Sequence, residues 1–307
     1  MTHVDARLKI WAAPLAAALA LLQAGCDQPQ LRGAAPSREN ARQLRQTLAQ
    51  TSDGPAKQGG GPVAERTGWA TLRGTVTVTG SVPPPMPLQV SKDVEVCAPG
   101  GSQVLSEQLL VDSSGGLANV ALFALDLSGQ NVHPTAAGGK TDEVIFDQKK
   151  CIFLSHVALL QATQKLKILN SDPVAHNTKI DAKRAKSINE SIPPGGSTVY
   201  LPGKSEKEPA PVSCSIHPWM KAYVLPLDNS YASVTDRQGK FEIANLPAGV
   251  DVQLQAWHEK VGKKFGEISV QGKASWKRGK LEFTGDNRLT DGETRELTLV
   301  IPAAALQ

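Results

Sequence analysis

Cys214-Ser215-Ile216-His217-Pro218-Trp219-Met220 brings a thiol, an imidazole and a thioether together on one short stretch of chain. The flanks read as strand: Val212 to Cys214 leads in and Lys221 to Leu227 leads out, as consecutive strands of a hairpin-like corner. Upstream, Lys165 to Asn170 reads as another strand, and Ser171-Asp172-Pro173-Val174-Ala175-His176-Asn177 follows it with a second imidazole. Two imidazoles, a thiolate and a weak thioether suit copper, because Cu(I) prefers soft sulfur and Cu(II) accepts imidazole and thiolate. A site that compromises between the two states rearranges little when an electron is gained or lost. Zinc would want a further Cys or His at short spacing, and none lies near Cys214.

From Trp69 on, the chain is patterned as β. Thr71 to Thr79 approximates period-two alternation and stops at Gly80. Gln108 to Asp112, Leu117 to Leu127, Glu143 to Phe146 and Ile152 to Leu160 follow as further strands, broken by turn residues about every ten positions. No convincing amphipathic helix interrupts them. The expected class is all-β.

The ligand stretch resembles the cupredoxin family, and within it the amicyanin type, whose loop reads Cys-x-x-His-x-x-Met with Pro after the His and an aromatic residue before the Met. The resemblance covers roughly residues 145 to 227. It implies a cupredoxin-like Greek-key β-sandwich holding one type 1 copper through His176, Cys214, His217 and Met220. It also implies that Asn177 bonds the backbone or hydroxyl of Ser215 and so ties the two ligand loops. Pro218, with no N–H and a fixed φ, would stiffen the loop. In this family the C-terminal His reaches the surface through an apolar patch, so the edge of His217 would be exposed, bordered by Pro218 and Trp219. The competing reading makes Trp219 a core residue beneath the loop.

Beyond 227 the pattern changes. Tyr231 to Ile243 reads as a hairpin around Asp236-Arg237-Gln238-Gly239; Asn245-Leu246-Pro247-Ala248-Gly249 reads as a turn, Val252 to Trp257 as a strand, and Arg295 to Ile301 as a closing strand. The order resembles the carboxypeptidase regulatory-like, transthyretin-like module, a small β-sandwich without catalysis of its own. The expected organisation is a signal segment at 1–26, a tether at 27–66, a copper domain at 67–227 and this second sandwich at 228–307.

Arg7 and Lys9 precede an uncharged run from Ile10 to Leu22, too short to span a bilayer and of the length of a signal-peptide core. Gln23-Ala24-Gly25-Cys26 resembles a lipoprotein cleavage box, with Cys26 lipidated, although Gln23 stands where an aliphatic residue is usual. Ordinary cleavage to a soluble periplasmic protein is the alternative. Either way the expectation is export to the periplasm or cell envelope, with a lipid anchor to the membrane favoured. Residues 27–66 hold few aliphatic side chains and much Gln, Pro, Gly, Ser and charge, and a flexible segment of that length reaches roughly 35 Å.

Setting Cys26 aside, Cys97, Cys151 and Cys214 remain. If Cys214 binds metal, Cys97 and Cys151 are a disulfide in an oxidising compartment or a pair of buried thiols. His156 competes with His176 as the upstream ligand, but the strand and Asn177 favour His176. His258, beside Glu259, reads first as a structural residue, and His133 carries no signal. The net charge of +4 on 307 residues, with no basic helix, argues against nucleic acid as a partner. No serine-nucleophile, paired-carboxylate or phosphate-loop constellation is present, so no enzyme is expected. The expected function is single-electron transfer between a redox donor and a redox acceptor protein. The alternative is an envelope binding, structural, or copper storage or delivery protein.

Overall fold

The computed structural model describes residues 65–127 and 131–306. The signal segment, Cys26 and the tether up to residue 64 lie outside the described residues. The strands are, in chain order, β1 (Gly68–Thr79), β2 (Ala121–Ala124), β3 (Glu143–Lys149), β4 (Ile152–Phe153), β5 (Val157–Gln161), β6 (Lys165–Asn170), β7 (His176–Ile180), β8 (Ile188–Ile192), β9 (Ser197–Tyr200), β10 (Ala210–Ser213), β11 (Lys221–Leu227), β12 (Ala232–Val234), β13 (Lys240–Ala248), β14 (Val252–Trp257), β15 (Ser269–Gln271), β16 (Ser275–Lys277), β17 (Lys280–Phe283) and β18 (Thr294–Pro302). One turn of α-helix, α1 (Val94–Cys97), and a 3-10 turn at Pro99–Gly101 lie between β1 and β2. The fold is all-β.

Two sandwiches form. In the first, the sheet β4-β3-β6-β9 faces the sheet β5-β11-β10-β7-β8. Phe146, Leu166, Ile168 and Tyr200 from one sheet meet Ile180, Val212, Ala222 and Val224 from the other in one core. The alternation in β6, where Leu166, Ile168 and Asn170 point inward and the residues between them do not, is the period-two signature of a strand with one buried face. In the second sandwich, β13-β1-β18-β15 faces β12-β2-β14-β17-β16, and Leu72, Val76, Leu297 and Leu299 pack on Leu122, Leu254, Leu281 and Phe283.

A third cluster joins the two sandwiches. Ala121 and Phe123 of β2 and Trp257 of β14 pack against Val157 of β5 and Leu225 and Leu227 of β11. Leu122 meanwhile faces the second sandwich's own core. The sheet carrying β2 is thus buried on both faces, which is why Ala121-Leu122-Phe123-Ala124 is a continuous apolar run rather than an alternating one.

Sheet pairing does not follow a boundary at 227/228. β1 lies antiparallel to β13 and parallel to β18, and β2 pairs with β12 and β14. The strands at 68–79 and 121–124 therefore belong to the second sandwich. Two smaller expectations also change. The turn at Asp236–Gly239 forms, with Gly239 N–H donating to Asp236 O at 2.9 Å. Its two strands, however, enter different sheets and make no hairpin. Gly239 permits this at φ 75, since a Cβ there would stand 2.2 Å from Val76 O. Asn245 to Ala248 stays within β13, where left-handed Asn245 (φ 58) sits at a register shift against β1. Leu117 to Leu127 contributes only β2 as strand, and Gln108 to Asp112 contributes an isolated bridge at Val111.

Candidate metal centre

β7 begins at His176, and the 214–220 loop joins β10 to β11, its antiparallel partner. Because β10 also pairs with β7, the loop and the start of β7 lie at one end of the same sheet. Inside the loop, Met220 N–H donates to His217 O at 2.9 Å and Cys214 N–H to Met220 O at 3.3 Å. These bonds close the stretch into a tight turn that returns Met220 to the core, where it is buried.

Asn177 ties β7 to this loop. Its Oδ1 accepts from Ser215 N at 3.2 Å and from Ser215 Oγ at 3.0 Å, while its backbone N–H points at Cys214 Sγ, 3.3 Å away. His217 N–H approaches the same sulfur at 3.4 Å. Two N–H groups aimed at one buried sulfur are the partners that an anionic thiolate ligand accepts from.

His176, Cys214 and His217 each present a donor atom within 4.8 Å of the other two. The Nδ1 atoms of the two imidazoles stand 2.9 Å apart, and Cys214 Sγ is 3.9 Å from His217 Nδ1. On the far side of each ring sits a carboxylate: His176 Nε2 lies 2.8 Å from Asp172 Oδ2, and His217 Nε2 lies 2.9 Å from Asp93 Oδ2. Carboxylate partners place the proton on Nε2 and leave both Nδ1 atoms as lone-pair donors. Two such lone pairs beside the Cys214 sulfur would repel one another, and either a shared proton or a metal cation between them removes the repulsion. Burial, its largest influence, pulls His176 below the ordinary imidazole range despite the Asp172 bond, so the ring is neutral near pH 7. The donor set therefore fits a soft or borderline metal ion such as copper.

Sequence reasoning missed the two carboxylates. Asp172 stands four residues before His176, a spacing that carries a usable signal. Its Oδ1 also accepts from Lys150 N at 2.7 Å and its Oδ2 from Cys151 N at 2.8 Å. These are the two left-handed residues (φ 56 and 53) of the tight β3–β4 turn. Asp93 carries no such signal, since it lies 124 residues from His217. It enters because Cys97, at the end of α1, is disulfide-bonded to Cys151.

This cap overturns the expectation of an exposed imidazole edge. His217 is 0% exposed and Trp219 only 9%. The Trp219 ring lies edge-on to His217 at 5.1 Å between centroids, and its indole N–H donates to Cys151 O at 3.1 Å. Trp219 is thus a core residue beneath the loop, and it also lines a groove of about 260 Å³ with Pro218, Met86, Leu105 and Phe153. A larger depression, about 580 Å³, lies over Arg73, Lys240 and Glu296 on the second sandwich and adds nothing to the centre. His156 is engaged elsewhere, with Nε2 at 2.7 Å from Glu259 Oε2.

No protein-family model matches the sequence, and no curated protein matches it. Among solved structures, amicyanin from Paracoccus versutus aligns at 14% identity over 30% of this chain and 90% of its own, with a TM-score of 0.25. A purple cupredoxin from Nitrosopumilus maritimus aligns at 17% identity over 27% of this chain and 97% of its own, at 0.23. A copper-containing nitrite reductase from Thermus scotoductus aligns at 14% identity over 34% of this chain and 25% of its own, at 0.25. At such TM-scores these likenesses define neither family nor activity.

Proposed function

We propose that this chain is an exported type 1 copper protein that carries single electrons between two redox proteins, without catalysis of its own. The observation that carries the reading is the convergence of His176 Nδ1, His217 Nδ1 and Cys214 Sγ in a buried site whose outward ring nitrogens are both held by carboxylates. Met220 would supply a weak thioether donor. Copper, when bound, adds a one-electron couple. The chain's own residues supply what makes that couple fast: Asn177 and Ser215 lock the two ligand loops together, Asp172 and Asp93 hold the rings, and burial excludes water. A donor set held this firmly rearranges little between oxidation states.

With the His217 edge covered, the reading needs another route to a partner. Trp219, in contact with His217 and lining the groove beside Pro218, supplies one. Export, and lipidation at Cys26, remain part of the proposal; the Cys97–Cys151 disulfide supports an oxidising compartment.

The test is the visible spectrum of the purified, copper-loaded chain. An intense thiolate-to-copper band is expected, lost in Cys214→Ser; a spectrum unaltered by that substitution would sink the assignment. Met220→Leu should keep the band and raise the reduction potential.

A further inference from the structure

The Cys97–Cys151 disulfide is placed against the metal donors. Both of its sulfurs and a ring nitrogen of His217 lie within 4.8 Å of one another. Cys151 Sγ stands in the same relation to a carboxylate oxygen of Asp172 and a ring nitrogen of His176. Cys97, Cys151, His176 and His217 are all buried, at 3%, 0%, 0% and 0% exposure. The backbone of Cys151 is committed to the same neighbourhood, its N–H to Asp172 Oδ2 at 2.8 Å and its carbonyl to the Trp219 indole at 3.1 Å. The disulfide that brings Asp93 to His217 thus also lays both of its sulfurs beside that ring.

The geometry points to a second copper(I) site that exists only when this disulfide is reduced, with Cys97 and Cys151 as its two thiolate ligands and His217 as the wall shared with the first centre. Soft thiolates in an apolar pocket, here against Phe146 and Phe153, select Cu(I) over harder ions. The Cα atoms are 5.1 Å apart. Two sulfurs on such neighbouring positions can separate enough to share one ion at bonds of about 2.3 Å, a usual metal–thiolate length.

The redox step balances with a dithiol reductant. The reductant is oxidised to its own disulfide and gives up two electrons and two protons; the Cys97–Cys151 S–S bond breaks, and each sulfur takes one proton. Binding Cu(I) then releases both thiol protons to solvent. The oxidised chain holds one copper and the reduced chain two. A reductant thereby converts an electron-transfer site into a site pair able to accept or release an additional copper ion.

The experiment counts Cu(I) retained by the full chain against a chromophoric Cu(I) chelator, before and after reduction with dithiothreitol and anaerobic desalting. The expected count is one per oxidised chain and two per reduced chain. Cys214→Ser should go from none to one on reduction, and Cys97→Ser/Cys151→Ser should show the same count before and after reduction. Equal counts in the oxidised and reduced wild type would overturn the proposal, as would a second Cu(I) in the doubly substituted chain. Loss of the far-UV β signal on reduction would overturn it too, because the site requires the folded dithiol. If the double variant does not fold, the Cys214→Ser count decides alone. The visible band of the oxidised, copper-loaded wild type reports on the first centre separately, so failure of one reading leaves the other measurable.

Discussion

The second sandwich buries Leu72, Leu122, Leu254, Phe283 and Leu299 with few polar companions, chiefly Thr235, Gln255, His258 and Arg295. The first buries Gln148, Asn170, Asp172, His176, Asn177 and His217 among its apolar residues. Each of those polar groups must find a partner or destabilise the fold. Asn170 shows how: its Nδ2 reaches Val174 O at 2.8 Å, Pro193 O at 3.0 Å and Ile192 O at 3.1 Å, pinning the loop that leads to His176. One sandwich is built for packing. The other holds a polar constellation in place, and leans on a disulfide and on its neighbour's apolar face to do so.

The largest effect should come from the layer the sandwiches share. Phe123→Ala removes a buried ring from the junction cluster and should destabilise by about 3–5 kcal/mol. Because β2 serves both cores, amides of β7 and β14 should lose hydrogen-exchange protection together. If β14 opens while β7 stays protected, the two sandwiches are independent and the first does not lean on its neighbour. Trp219→Ala should cost about 3 kcal/mol, the lower end of the range for a nearly buried aromatic. It should also shift the visible spectrum of the copper-loaded chain, since the indole bridges His217 and Cys151. A variant of wild-type stability and unchanged spectrum would show instead that the indole acts only at the groove surface.

His258 sharpens the contrast from the packing side. Burial holds its pKa down at about 4, with Glu259 opposing and His156 and Lys260 adding to the effect. Above pH 6.5 the ring is neutral in both folded and unfolded chains and contributes no pH dependence. As pH falls from 6.5 toward 4 the unfolded chain takes up the proton first, so stability should drop by about 3 kcal/mol across that window. His258→Gln should flatten this part of a urea-denaturation series; an unchanged slope would show that the ring protonates freely in the fold. The smallest effects concern the carboxylates. Asp172→Asn should weaken copper affinity 10- to 100-fold, about 1.4–2.7 kcal/mol. Asp93→Asn should fall nearer the lower figure, because that carboxylate is one-third exposed. Chelator competition measures both, and equal, undiminished affinities would remove the carboxylates from the site.

Much of this molecule is legible in its residues alone. The donor types at 214–220, the strand at Lys165–Asn170 and the all-β pattern are local: they depend on residue chemistry and on a period of two, which a few neighbouring positions record. Cysteine arithmetic could pair Cys97 with Cys151, because the chain offers few other choices. What the pattern could not assign was which sheet a strand enters. β1 alternates equally well for either sandwich, and its partners lie at 240–248 and 294–302. Two-sided burial of β2 appears only once both neighbouring faces exist. The cap over His217 is the sharpest case. Asp93 is an unremarkable residue in a Pro-rich, weakly patterned stretch, and only the disulfide and the closure of the first sandwich bring it across 124 residues to the ring. The sequence by itself determined the candidate donors and the strand chemistry, since these are properties of short segments. Tertiary structure alone decided which of those donors face water, because burial is set by what packs on top.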